Sequence, residues 1–346
     1  MRSKIFSMVV GAAALALTVA APGQAADLAG MYKGKTVKIL FGFSSGGTYG
    51  QYALMLSQHL PRHIPGNPNI IIQSMPGAGG LKASNYAANV MPKDGLNLYM
   101  PPDSIVVNQL LRPKGVRYKA QEFTWLGNAI ESNSIIAVTK KSGVRTWDDA
   151  LKREVLMAST GKGSQTNLVP KMLNGVFGSK FKVIMGYKGA RGSTHAMELG
   201  EAHGVSLTWL TLKKNQARWW DDSDYATKAT AIMQVGFRKE PDLPNVPLAS
   251  EIAPTEEGRQ IVNFIATLGP IGRGLATPPG TPKDISMALR NSFAALMNDK
   301  TFVDAATKRG LKIEPKTGAE VQAIVEDVIK ISPEVVTKAR IAIFGK

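Results

Sequence analysis

The chain has no cysteine. That excludes disulfides, a thiol nucleophile, thiolate metal ligands and lipid attachment through an N-terminal cysteine. Histidine is scarce too: His59, His63, His195 and His203 are the full set of 4. Acidic residues are outnumbered, 26 against 42 Lys and Arg, which gives a formal charge of +16. Beyond the N-terminus no segment offers the ~20 continuous apolar residues of a membrane-spanning helix. What remains is an ordinary globular composition, 44% hydrophobic over 346 residues, a length that favours two α/β domains over one.

The N-terminus reads as a secretory signal. Arg2 and Lys4 supply a positive start, and Ile5 to Ala21 is uncharged and rich in Ala, Leu and Val. Pro22 and Gly23 break the run, and Gly23-Gln24-Ala25 offers small residues for cleavage after Ala25. The expectation is a signal peptide over 1–25 and an exported, soluble protein retained in a periplasm. A basic surface favours anionic partners. Basic residues are spread along the chain with no arginine-rich block or RNP-type motif, so a nucleic-acid partner is not expected.

Short β-branched runs alternate with helical patterns. Strands are predicted at 36–41, 69–73 and 96–100, with helices at 49–60 and 81–90 between them. This is a βαβαβ unit with parallel pairing. A second block places strands at 135–139, 155–158, 182–185 and 204–208, with helices at 166–176 and 193–200. From Pro282 the pattern is helical: 282–297, 300–309, 318–331 and 333–343. The turn-rich stretch 239–247, with Pro241, Pro244 and Pro247, is either a domain boundary or a surface loop.

Two loops carry most of the chemistry. Phe41-Gly-Phe-Ser-Ser-Gly-Gly-Thr-Tyr49 follows a strand and opens a helix. Its glycines let backbone approach a ligand, and the helix N-terminus presents unpaired N–H groups. It is neither a Walker loop nor a G-x-G-x-x-G dinucleotide loop. It binds an anion or is a tight βα turn. Ala158-Ser-Thr-Gly-Lys-Gly-Ser-Gln165 is its counterpart in the second block, with hydroxyls on Ser159, Thr160 and Ser164. Ser164 either contacts a ligand or caps the following helix. A third stretch, Ser74-Met-Pro-Gly-Ala-Gly-Gly80, reads as a structural turn.

Catalytic patterns are thin. His59 and His63 are four apart, but Leu60 stands where a H-E-x-x-H site needs glutamate, and Pro61 disturbs the helix. Gly42-Phe-Ser-Ser-Gly46 matches G-x-S-x-G with Ser44 as nucleophile, without an HGGG-type oxyanion motif and on the first strand of the mature chain. Trp219-Trp220 followed by Asp221-Asp222 reads as a half-buried helix end or a binding surface.

Seven segments in order resemble one family. They are Val37-Lys-Ile-Leu-Phe-Gly-Phe43 with Gly46-Gly47, Met75-Pro-Gly-Ala-Gly-Gly80, Pro92-Lys-Asp-Gly95, Thr160-Gly-Lys-Gly-Ser164, Gly186-Tyr-Lys-Gly189, Leu243-Pro-Asn-Val-Pro247 and Ala276-Thr-Pro-Pro-Gly-Thr-Pro282. Together they resemble the solute receptors of tripartite tricarboxylate transporters, the Bug-type receptors. The resemblance implies an α/β fold of the periplasmic-binding-protein-like type II class, with two lobes, a hinge and a ligand cleft between them. It implies lobe 1 over 26–125 plus 238–346 and lobe 2 over 126–237. It also implies a carboxylate held between the first βα loop and the Thr160–Ser164 loop, a monomer, and one large and one small membrane subunit as partners. Neither cofactor nor catalysis is implied. A receptor feeding a sensor kinase and a periplasmic hydrolase using Ser44 are the alternatives.

The ligand-facing residues expected on this basis are Phe43, Ser44, Ser45, Gly47, Thr48 and Tyr49 from the first loop, and Ser159, Thr160, Gly163 and Ser164 from the second. Asp103 and Ser104, after the third strand, sit where α/β ligands bind or cap the next helix. Trp209 is expected on the wall of the second lobe. There are departures from the family. Its first loop carries two prolines, then an Asp three residues after the second Gly and an Arg four beyond; here stand Ser44, Ser45, Gly50 and Leu54. The departures bear on specificity rather than on a backbone grip.

Overall fold

The computed structural model describes residues 27–220 and 229–345. The expected signal peptide over 1–25 and the pair Asp221-Asp222 lie outside the described residues.

Among the described residues, eleven strands make two sheets. The first contains β1 (Thr36–Phe41), β2 (Asn69–Ser74), β3 (Asn97–Met100), β4 (Thr124–Asn128), β10 (Gly274–Thr277) and β11 (Lys316–Thr317). The second contains β5 (Ser134–Thr139), β6 (Val155–Ser159), β7 (Phe181–Met185), β8 (Gly204–Thr208) and β9 (Ala229–Val235). Their orders are β11-β4-β10-β3-β1-β2 and β7-β6-β8-β5-β9. In the first, β2, β1 and β3 run parallel, as the βαβαβ pattern requires, and β10 pairs antiparallel with both β3 and β4. In the second, β7, β6 and β8 run parallel, and β5 pairs antiparallel with β8 and β9.

The chain leaves the first sheet after Asn128 and joins the second at Ser134. The helix Glu256–Ala266 still packs on β9 and on the Gln165–Phe177 helix, so the return crossing lies in residues 267–273. The two crossings pair with each other: Ala129 N–H donates to Arg273 O at 3.0 Å, and Arg273 N–H to Ile130 O at 3.1 Å. This short antiparallel contact is the hinge. The expected divide at 125/126 therefore falls inside β4. The stretch 239–247 is a loop on the second-lobe side, since Gln234 bridges to Leu248. The C-terminal helix Pro333–Phe344, expected with lobe 1, packs against Gln165–Phe177 of lobe 2.

One hydrophobic cluster runs through both lobes. It joins Leu40, Tyr99 and Trp125 to Met157, Leu168 and Met172, and to Val336 and Ile343 of the last helix. Each such buried side chain stabilises the fold by about 1.5–3 kcal/mol. Trp125 is fully buried, and its indole N–H donates to Ala120 O at 3.1 Å, so its polar atom is satisfied. This cluster joins β1, β3 and β4 of one sheet to β5, β6 and β9 of the other. The loops leaving the carboxyl ends of β1, β3, β6 and β8 form the cleft.

Candidate functional site

The cleft holds a small cavity of about 40 Å³, lined by residues from both lobes. Phe43, Ser44, Gly47, Thr48 and Tyr49 come from the loop after β1 and the helix Thr48–His59 that it opens. Asp103 follows β3. Thr160, Ser164, Gln165 and Thr166 follow β6, Ala190 opens the Ala190–Leu199 helix, and Leu207 and Thr211 flank the end of β8. Arg273 enters from the hinge.

Three helices that begin at this cavity have no side-chain cap. Their N-cap residues are Gly47, Ser164 and Gly189. The N-cap residues Gly80, Ser104 and Pro282 likewise lack a side-chain cap, whereas Asp27, Thr146, Thr208, Thr255, Asp299, Thr317 and Ser332 cap their helices with a side-chain oxygen. The first-turn N–H groups of a helix have no intrahelical partner and carry partial positive charge. The helices that follow Gly47, Ser164 and Gly189 all start with residues that line the cavity: Thr48 with Tyr49, Gln165 with Thr166, and Ala190. The arrangement concentrates N–H donors where an anion would sit.

The second loop itself contributes differently from the sequence expectation. Its amides are engaged within the protein: Thr160 N–H donates to Thr166 Oγ1 (3.0 Å), Gly161 N–H to Ser159 Oγ (3.3 Å), Gly163 N–H to Ala78 O (3.2 Å) and Ser164 N–H to Gly161 O (3.1 Å). Ser164 sits at the N-cap position, but its hydroxyl donates to Gly161 O at 3.0 Å instead of capping. The positive pole on this side is the helix start, not the loop. Ser159 lies behind the cavity against Thr166, and Gly163 and Ser104 form a clasp across the cleft. Ser104 Oγ and Asn108 Nδ2 both donate to Gly163 O at 2.6 Å. Ser45 is exposed and does not line the cavity. A Cβ on Gly50 would run into the Ser45 carbonyl, so this loop leaves no room for the side chain that the family carries there.

The third glycine stretch does more than turn the chain. Ala78 and Gly79 meet the second loop across the cleft, and a Cβ on Gly161 would stand 2.7 Å from Gly79 N. Further contacts join the lobes: Ser44 N–H to Lys188 O at 3.1 Å, Thr48 Oγ1 with Thr211 Oγ1 at 2.8 Å, and Gln51 Nε2 to Asn215 Oδ1 at 2.9 Å. The lobes are closed on each other.

Asp103 and Arg273 are the two buried charged side chains among the described residues, 4% and 3% exposed. Sequence reasoning missed Arg273. Its guanidinium lies over the Tyr49 ring, 4.0 Å from the centroid, a cation–π contact. It donates to Thr48 Oγ1 of one lobe (3.1 Å) and to Thr208 and Thr211 Oγ1 of the other (3.2 and 3.4 Å). Its approach to Asp103 Oδ2 is 3.9 Å. Burial pushes the Asp103 carboxyl up from its ordinary value, opposed by Arg273 and by the Ser104 N–H. Asp103 N–H donates to the Tyr49 hydroxyl at 2.8 Å. Burial, then Asp103, raises the Tyr49 hydroxyl, so it stays neutral. Gln165 completes the set, with its amide oriented to donate to Asp103 Oδ2 (3.1 Å) and accept from Thr208 N (2.9 Å).

A signal for Arg273 was present: it is the single charge in the apolar run from Leu268 to Ala276, and a charge inside such a run has to be paired or used. Trp209 is placed elsewhere. Its indole donates to Asp242 Oδ2 at 2.9 Å, it packs edge-on to Trp220, and it lines a separate cavity with Lys213 and Lys312. Trp209→Phe is therefore expected to leave ligand affinity within about two-fold. The lost hydrogen bond, worth about 1 kcal/mol, should lower Tm by roughly 2–4 °C. Paired calorimetry and thermal melts check both.

His63 Nε2 meets Asp299 Oδ2 at 2.9 Å and His59 meets Arg62. His195 pairs with Glu198 and lines a cavity that Ser44 also borders. A wider opening of about 730 Å³ shares Phe43 and Thr160 with the inner cavity and is rimmed by Arg112, Lys162 and Lys188. A basic mouth of this kind steers anions inward. A further cavity by the hinge, about 640 Å³, is lined by Glu131, Glu240, Lys312, Glu314 and Lys316. Among these, Lys316 pairs with Glu131 and Lys312 with Glu314.

No protein-family model and no curated protein matches the chain. Solved structures do. The periplasmic binding protein BugD superposes with TM-score 0.70 at 18% identity, covering 89% of this chain and 98% of that one. MatC from Rhodopseudomonas palustris, with bound malate, gives 0.68 at 18% over 87% and 99%. Rpa4515 of R. palustris, with adipate, gives 0.68 at 20% over 88% and 97%. The chain thus has the periplasmic-binding-protein-like type II fold: two α/β lobes, a hinge, and a cleft between them.

Proposed function

We propose that the chain is a periplasmic solute-binding receptor that captures a small carboxylate-bearing molecule by closing its lobes around it. In this reading it is a Bug-type receptor that hands its ligand to the large and small membrane subunits of a tripartite transporter. The observation that carries the proposal is the buried Arg273 at the hinge, set beside three uncapped helix N-termini that open into one interlobe cavity. The fold shared with MatC, which holds malate, and with Rpa4515, which holds adipate, supports it.

The energetics suffice. Hydrogen bonds to a charged group contribute about 1.5–3 kcal/mol each. Three or four of them, less the cost of ordering ligand and lobes, reach the roughly 8 kcal/mol of micromolar affinity. The ligand bridges groups on both lobes, so binding and closure are one equilibrium.

The test is thermal denaturation of ligand-stripped protein against mono-, di- and tricarboxylates. A true ligand at about 100 times its Kd adds roughly 2.7 kcal/mol, a Tm rise of several degrees. A panel that leaves Tm unmoved throughout contradicts the receptor reading.

A further inference from the structure

We propose that the ligand carries an ammonium group beside its carboxylate, so that the cleft selects a small amino acid over the matching simple acid or dicarboxylate. The inference rests on the receptor reading and adds the ligand's second charge.

The cavity presents both signs of charge. Asp103 and Arg273 line it together, and no other buried charged side chain occurs among the described residues. They do not neutralise each other through a hydrogen-bonded pair, because 3.9 Å is too long for one. The guanidinium spends its Nε and Nη2 donors on the hydroxyls of Thr48, Thr208 and Thr211. The Asp103 carboxylate takes the Ser104 N–H and the Gln165 amide. An ionised carboxylate has about four acceptor sites, so Asp103, which borders the cavity, keeps capacity for a further donor.

A dianion would have to place its second carboxylate in a space of about 40 Å³ that Asp103 already borders. A second carboxylate there would stand close to Asp103, and like charges at close range repel. An ammonium has the opposite fit. It is compact, offers three donors and no acceptor, and pairs with the open side of Asp103. The carboxylate of the same molecule then takes the helix N-termini and Arg273. The net charge of Asp103 plus Arg273 is zero, as is that of an amino acid with an uncharged side chain such as alanine.

The test is isothermal titration of ligand-stripped protein with matched pairs: alanine against propionate, and aspartate against succinate. The amino acid of at least one pair is expected to bind about 10-fold or more tightly than its partner. In Asp103→Asn the preference should collapse, with the amino acid weakened and the simple acid tightened. The wild-type comparison stands even if that variant folds poorly. Propionate and succinate each binding as tightly as the matching amino acid overturns this inference and leaves the receptor reading intact. Failure of every acid, amino or simple, overturns both.

Discussion

Arg273→Lys is expected to leave the protein folded and to raise the ligand Kd by about 10- to 100-fold. Lysine keeps the positive charge opposite Asp103, so the buried pair is not broken. It cannot reproduce the planar fork that spans Thr48 on one lobe and Thr208 and Thr211 on the other. It also loses the stacking on Tyr49. Arg273→Ala is a harsher change. It leaves Asp103 buried without its cation, which costs about 3–5 kcal/mol. Most of that stability should return when Asp103→Asn is added, while binding stays lost. Circular dichroism melts separate the two effects from calorimetric affinity. If Arg273→Ala binds the wild-type ligand normally, the hinge arginine is structural only.

Gly163→Ala should weaken binding by about 10-fold or more, roughly 1.4 kcal/mol, by obstructing closure. A Cβ there would stand 2.6 Å from Leu81 Cγ and 2.9 Å from Ala78 O, both on the opposite lobe. Leucine can shift, but the backbone carbonyl cannot do so cheaply. Gly163 also offers the carbonyl that Ser104 and Asn108 grip, so a displaced loop loses those bonds as well. In an opened molecule the added methyl meets none of these atoms. Small-angle scattering should therefore show a ligand-dependent contraction in the wild type and a smaller one in the variant. Gly192→Ala is the control: its nearest neighbour would be Tyr187 Cβ at 3.7 Å, an ordinary contact, and binding should be unchanged.

The parallel half of each sheet was legible because strand and helix periods alternate over β1 to β3 and again over β6 to β8. Among the antiparallel strands β5 was legible as 135–139, whereas β4, β9, β10 and β11 were not. β10 spans four residues, Gly274–Thr277, and pairs with strands far away in sequence, so nothing local marks it. Ile105–Leu111 is rich in β-branched residues yet forms a helix, because it packs into the shared core where burial outweighs propensity. The lobe boundaries were displaced for a related reason. The prolines of 239–247 signal a turn but not which lobe the turn belongs to.

The site was half legible. The first loop and Asp103 follow strand ends, and the rule that ligands gather there located them. The hydroxyls of the second loop satisfy their own backbone, as Ser and Thr near turns often do, and a motif does not show that. Leu207 and Thr211 rather than Trp209 line the cavity. At the end of β8 the chain turns into a helix, and Trp209 leaves on the side of Asp242. Arg273 was invisible as a partner because its contacts to Thr48 and Thr208 span 225 and 65 positions of the sequence.

The most direct measurement is a crystal structure of the protein with the tightest carboxylate from the thermal screen. The ligand's carboxylate should lie between the lobes, within hydrogen-bonding distance of the Arg273 guanidinium and of the first-turn amides at Thr48–Tyr49 or Gln165–Thr166. A ligand seated instead in the cavity beside Glu131 and Lys316, with those amides and Arg273 untouched, would contradict the account.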